Sequence, residues 1–257
     1  MNTLFIDAFS GVSGDMLLGA LLDLGIDIEV LKQELQKLPV NSYTLICEQT
    51  AKNGIWGTDF DVVIDEHKAK AEVEHQHTHN HVHHHGRTYT DIIKMIEAST
   101  LADTVKHNSL AIFGEIAKAE AKVHHKTVEE VHFHEVGAID SIVDIVGNCI
   151  ALDLLQIDEI ITSPLTDGCG TISCAHGNMP VPVPAVMQMR EGTQIPVKQN
   201  LNIHTELVTP TGMGIVKVLS KTFGAIPEDA CIAKIGYGFG KRDTGSLNAL
   251  RVLLIKK

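Results

Sequence analysis

The sequence predicts an α+β fold, with mixed layered sheets, helices and a mobile histidine-rich loop that interrupts the fold. Three observations carry this expectation. Up to Ile64 the elements run strand, helix, helix, strand, strand, which suits an α+β layer better than a doubly wound parallel sheet. Further on, residues 89–98, 101–123 and 137–155 repeat apolar positions with helical spacing. The last third is punctuated by glycine- and proline-rich turns between short extended stretches.

Taken in order, a first strand is expected from Thr3 to Asp7, followed by the loop SGVSGD and an apolar helix from Asp15 to Leu24 that stops at Gly25. Gly11 and Gly14 let this loop turn tightly, and Ser10 and Ser13 add hydroxyls. Amides at the helix start would face an anion at the positive end of the dipole, so the loop is a candidate phosphate cradle. It has no Walker lysine and no full GxGxxG. Asp7 and Asp15 flank it and could hold a metal beside bound phosphate; a plain helix cap at Asp15 and a tight turn are the ordinary alternative. A second helix is expected over Ile28 to Leu38, ending at Pro39. Tyr43 to Gln49 and Thr58 to Ile64 alternate as paired strands around Asn53-Gly54, with Asp59 and Asp61 on the solvent face of the hairpin.

From His67 to His85 the composition changes, and this segment holds eight of the 15 histidines. Little in it can enter a core, so a mobile surface loop is expected. It divides the chain into residues 1–66, an N-terminal α+β part with the phosphate-like loop; 67–86, the loop; and 87–257, a helical and α+β part. Imidazole suits nickel, zinc, copper and iron, which makes His75, His77, His79, His81, His83, His84 and His85 candidate metal ligands. A flexible run collects ions well but makes a poor fixed reaction site, because chemistry needs ligands locked in place.

The most informative stretch is Val131 to Gly147, VHFHEVGAIDSIVDIVG. Its helical part sets Asp140 and Asp144 on one face beside Ile139, Ile142, Val143, Ile145 and Val146, all core residues by type. Carboxylates there need partners, and a cation is the natural one. Ahead of the helix, His132 and His134 alternate with Val131 and Phe133 as in a strand, and Glu135 follows. Nitrogen and oxygen donors would converge at this strand-to-helix corner, a structural ion pair being the plainer alternative. Beyond it, Pro180, Pro182 and Pro184 lead into a helix with His176 at its mouth, and Thr209 to Gly212 could open another. Gly236, Gly238 and Gly240 would let backbone approach a ligand or form a hairpin turn, with Lys241, Arg242 and Asp243 next.

Composition sets limits. Apolar residues at 44% and charged residues at 21% are ordinary for a soluble globular chain. A net charge of −11 argues against binding nucleic acid or an anionic membrane, and favours cations. Without an apolar run of membrane length or a leader pattern, the cytoplasm is the expected location. Cys47, Cys149, Cys169, Cys174 and Cys231 contain no CxxC pair and suit reduced thiols, with Cys169 and Cys174 as minor ligand candidates.

As an ordered set, DAFSGVSGDMLLGALLDLG, the histidine-rich insert, FHEVGAIDSIVDIVG, HGNMPVPVPA, ELVTPTG and GYGFGKRD resemble the LarC family of nickel-insertion proteins, over essentially the whole chain. The resemblance implies a nickel chelatase, a metal-inserting lyase that places nickel in pyridinium-3,5-bisthiocarboxylic acid mononucleotide at the expense of CTP. The product would be the nickel-pincer cofactor, with lactate racemase as its recipient. Family members usually continue past a segment like LNALRVLLIKK, so a C-terminal region or subunit is expected to supply CTP binding, with Mg2+ or Mn2+, and oligomer formation; a homo-oligomer is expected. An assignment consistent with both the residues and the resemblance places the substrate phosphate on Ser10, Gly11, Ser13 and Gly14, with His176, Thr209, Thr211, Lys241 and Arg242 as further contacts. The reacting centre goes to Asp7, Asp15, His134, Glu135, Asp140 and Asp144. Two other classes stay open: a nickel storage or delivery chaperone without chemistry, and a metal-dependent phosphohydrolase or nucleotidyl transferase.

Overall fold

The computed structural model describes residues 1–65, 87–131, 133, 139–174 and 177–256. The histidine-rich segment, including His75 to His85, lies outside the described residues, as do His132, His134, Glu135 and His176. Among the described residues the helices are α1 (Gly14–Asp23), α2 (Ile28–Leu35), α3 (Tyr89–Ala98), α4 (Asp103–His124), α5 (Ile139–Leu154), α6 (Pro184–Arg190) and α7 (Pro210–Leu219). The strands are β1 (Asn2–Asp7), β2 (Tyr43–Lys52), β3 (Ile55–Ile64), β4 (Glu159–Thr162), β5 (Leu165–Asp167), β6 (Thr171–Cys174), β7 (Gly177–Pro180), β8 (Val197–Gln199), β9 (Thr222–Phe223), β10 (Ile232–Phe239) and β11 (Ala249–Lys256). None of these helices is long and apolar enough to cross a membrane.

Seven strands form one mixed sheet in the order β2-β3-β10-β11-β1-β4-β9, and β5-β8 and β6-β7 form two small ribbons. The chain's last strand therefore lies in the middle: β11 pairs antiparallel with β1, from Asn2 opposite Lys256 to Asp7 opposite Arg251. On its other side β1 runs parallel to β4. Successive side chains of a strand face opposite ways. Leu4 and Ile6 accordingly enter the main core with α1, α4, α5 and α7, whereas Phe5 joins Leu253 and Ile255 in a small cluster on the other face.

Local sequence explains most boundaries. Asn53 (φ 52°) and Gly54 (φ 78°) make the two-residue turn of the β2–β3 hairpin, a conformation that asparagine and glycine adopt most readily. The helix α2 is shorter than the expected Ile28 to Leu38, because the amides of Lys37 and Leu38 bond to Glu34 and Leu35 and tighten the chain into a turn before Pro39. Thr88 and Asp91 cap α3 reciprocally.

Gly236 and Gly238 do not open a ligand-facing turn. They lie within β10, where a Cβ at Gly238 would stand 1.9 Å from the Met16 carbonyl and one at Gly236 would stand 2.3 Å from that of Ala20. The glycines instead let α1 settle directly on the sheet, which fixes where the N-terminus of α1 points.

Candidate functional site

The loop between β1 and α1 docks on the segment that enters α7. Val12 N donates to Leu207 O (2.9 Å) and Thr209 N donates to Val12 O (3.1 Å). Both contacts require glycine: a Cβ at Gly11 (φ 89°) would fall 2.2 Å from Leu207 O, and one at Gly212 would fall 2.1 Å from Val12 O. On the other flank α5 approaches α1 so closely that a Cβ at Gly14 would meet the Asp144 Cβ at 2.7 Å. Asn148 locks that crossing by donating to the carbonyls of Gly14 and Asp144, both at 2.8 Å.

These contacts leave a cleft of about 240 Å³, lined by Ser13, Asp15, Asp61, Val62, Asp140, Ser141, Asp144, Glu206, Thr209, Pro210, Thr211 and Lys241. Asp15, Asp140, Asp144, Ser13, Thr209, Thr211 and Lys241, named from sequence, thus meet in one place, and Gly11 and Gly14 build its wall. Asp61, expected on the solvent face of the hairpin, and Glu206, the first residue of ELVTPTG, are lining residues that the sequence does not mark as site residues. Asp61 belongs to β3, whose alternation reads as an outer face, yet it turns into the cleft and takes Lys241 Nζ at 2.5 Å. The signal for Glu206 was its place just ahead of the Thr-Pro-Thr-Gly helix entry.

Asp7 does not line the cleft. It ends β1 opposite Arg251, which grips its carboxylate through Nε (3.0 Å) and Nη2 (2.5 Å). Ser10 is buried in the loop, and Arg242 stands behind the cleft, holding Glu206 Oε2 at 3.0 Å and Thr205 Oγ1 at 2.8 Å.

Electrostatically the cleft is acidic, with five carboxylates and Lys241 as the one cationic side chain among the described lining residues. Asp15 already occupies the helix start: its Oδ1 accepts from the Ser13 hydroxyl and from Met16 N (2.9 Å), while Oδ2 lies 3.5 Å from Lys241 Nζ. Asp144 is the most perturbed group. Desolvation raises its pKa well above the usual carboxylate range, the charges of Asp15 and Asp140 push it the same way, and its Oδ1 has no hydrogen-bond partner among the described residues. Asp140 sits at the solvent-facing rim, yet desolvation against the cleft wall still raises its pKa, opposed by amide hydrogen bonds from Ser141 and from its own residue. Burial lowers the Lys241 pKa, but Asp61 and Asp15 more than offset this and the net shift is upward.

The cleft therefore suits a cation better than a free anion, and offers a carboxyl poised to take or give a proton. Among the described residues no group of three or more His, Cys, Asp or Glu side chains is already closed into a metal cage.

Comparison with known proteins adds a family. The sequence model of a family described as "Nickel insertion protein" matches residues 4–257. A pyridinium-3,5-bisthiocarboxylic acid mononucleotide nickel insertion protein of Lactiplantibacillus plantarum is 60% identical over 261 residues, covering 100% of this chain and 62% of that protein. Proteins with the same name in Acetivibrio thermocellus and Geobacillus kaustophilus are 51% and 48% identical, each over 99% of this chain and 60% of their own length. The chain thus spans about three-fifths of the curated relatives it matches. No solved structure matches it significantly.

Proposed function

The chain belongs to the nickel insertion protein family, and on that premise we propose that it inserts nickel into pyridinium-3,5-bisthiocarboxylic acid mononucleotide, the compound named for its relatives. The observation that carries the reading is the acidic cleft between α1, α5 and the entry to α7, with Asp144 partly buried and its Oδ1 buried and unpaired among the described residues.

Chemically, a divalent cation and a cationic pyridinium ring are both drawn to a cleft lined by carboxylates. Forming a nickel–carbon bond replaces a ring C–H, so a base must take the proton. A carboxylate whose pKa lies above its usual range is a better base than an ordinary surface aspartate, which selects Asp144, with Asp140 beside it at the rim. Drug-sized ligands occupy clefts of about 300–1,000 Å³. A cleft of about 240 Å³ fits the thiocarboxylated ring and its metal, and leaves the ribose phosphate outside. The phosphate then goes to the hydroxyl-lined edge formed by Ser13, Thr209 and Thr211, with Lys241 as its cation. His134 and Glu135, next in sequence to α5, remain candidates for the same centre, and Asp7 for orienting β1 through Arg251.

The wider reading follows the same premise. CTP with Mg2+ or Mn2+ drives the insertion through a region outside this chain, the histidines from His75 to His85 collect nickel, and the product matures lactate racemase in the cytoplasm within a homo-oligomeric assembly. The test is product formation from the mononucleotide, Ni2+ and CTP by this chain, alone and supplemented with the remaining region of a relative. A nickel-containing product in either mixture supports the reading; none in both, with the relative's full-length protein active in parallel, refutes it.

A further inference from the structure

Outside the acidic cleft, one pair of soft donors is held in place by the backbone around it. Asp167 is buried at the end of β5, and its Oδ1 accepts from the amides of Gly168 (2.8 Å), Leu207 (2.9 Å) and Val208 (3.1 Å). The next residues are clamped as firmly: Cys169 N donates to Ile203 O at 2.8 Å, and a Cβ at Gly168 would stand 1.9 Å from Thr205 O. This clamp sets the half-exposed Cys169 beside the exposed His204, with Sγ 3.6 Å from Nδ1 and 3.4 Å from Leu201 O.

For a first-row metal with M–S of about 2.3 Å and M–N of about 2.0–2.1 Å, a near-tetrahedral angle puts the two donors about 3.6 Å apart. The observed separation matches, so both atoms can reach one ion with little movement. A thiolate and an imidazole prefer nickel, zinc or copper to Mg2+ or Mn2+. Two protein donors leave coordination positions open, which suits handing an ion on and not storing it. His204 also shares a short segment with Glu206, which lines the acidic cleft, and Arg242 ties Thr205 and Glu206 together.

We propose that Cys169 and His204 form a two-donor landing site for the nickel ion, one step before the acidic cleft. The proposal rests on the nickel-insertion reading. On binding, the Cys169 thiol loses its proton to solvent as the Ni–S bond forms, and neutral His204 donates through Nδ1.

The test is a Ni2+ titration of the full chain followed by thiolate-to-nickel charge-transfer absorption, a signal that imidazole and carboxylate ligands do not produce. The native chain should develop the band, Cys169→Ser should abolish it, and His204→Ala should weaken the nickel affinity behind it by about 10-fold or more. Cys47→Ser, Cys174→Ser and Cys231→Ser should retain it. No band in the native chain, or a band that survives Cys169→Ser with circular dichroism unchanged, overturns the proposal. Because the readout is binding, its failure is distinguishable from a failure of product formation, which would count against the cleft.

Discussion

At the residue scale, the cost of Asp144 should be visible in stability. An acid whose folded pKa is raised contributes stability that is present below its unfolded value and lost as pH rises through the folded one. Desolvation and the neighbouring Asp15 and Asp140 charges raise that of Asp144. Asp144→Asn should therefore match the native chain in acid, and become the more stable of the two as pH climbs from about 4. At neutral pH the gain should be about 1 kcal/mol or more, read from denaturant midpoints at several pH values; equal midpoints throughout would show that the carboxylate is not strained. Lys241 acts in the opposite sense, since its charge lowers the Asp144 pKa. Lys241→Met should shift the acid limb of the pH–rate profile for product formation to higher pH. Because the lysine side chain is half exposed, the stability loss should stay at about 1 kcal/mol or less.

Asp140 and Asp144 were legible in the sequence because helical spacing sets each acid against an apolar face, and Asp15 because it stands where the glycine- and serine-rich loop opens a helix. Asp61 was hidden because strand alternation separates two faces without saying what covers them, and α1 brings its acidic start to that edge of β3. Asp7 looked equivalent to Asp15 until β11 supplied Arg251, a partner 244 residues away.

At the scale of elements, α1 is the organising piece. It lies on β10 through Gly236 and Gly238, on α5 through Gly14, and its leading loop meets the α7 entry through Gly11 and Gly212. Gly14→Ala drives a methyl against the Asp144 side chain, and should cost about 1–3 kcal/mol and disturb nickel insertion together with stability. Gly54→Ala, where a Cβ meets nothing within 4 Å although φ is 78°, should leave insertion unchanged and serve as its control. Thr209 caps α7 by accepting from Gly212 N at 3.1 Å, so Thr209→Ala should lower the unfolding free energy by about 1 kcal/mol. The hairpin and the order of the first five elements followed from turn chemistry and periodicity. The purpose of the β10 glycines did not, because a close helix approach is a tertiary event that leaves the same glycine pattern as a turn.

At the scale of the molecule, the mixed sheet brings the chain's two ends to its centre, with β1 against β11, and the cleft is built where the loops from β1 and β10 meet the starts of α1, α5 and α7. Such a site cannot be read from any one motif, which explains why the ordered set of motifs carried the family resemblance when each alone was weak. The strand order could not be read either, since no local pattern tells the last strand to pair with the first.

We propose that the acidic cleft is where insertion takes place. The direct test measures nickel-product formation from the mononucleotide, Ni2+ and CTP, in the supplemented system, with the native chain and with Asp144→Asn. The variant should form product about 100-fold or more slowly, while its denaturant midpoint at neutral pH stays at or above native. Native product formation by a folded Asp144→Asn chain would contradict the proposal.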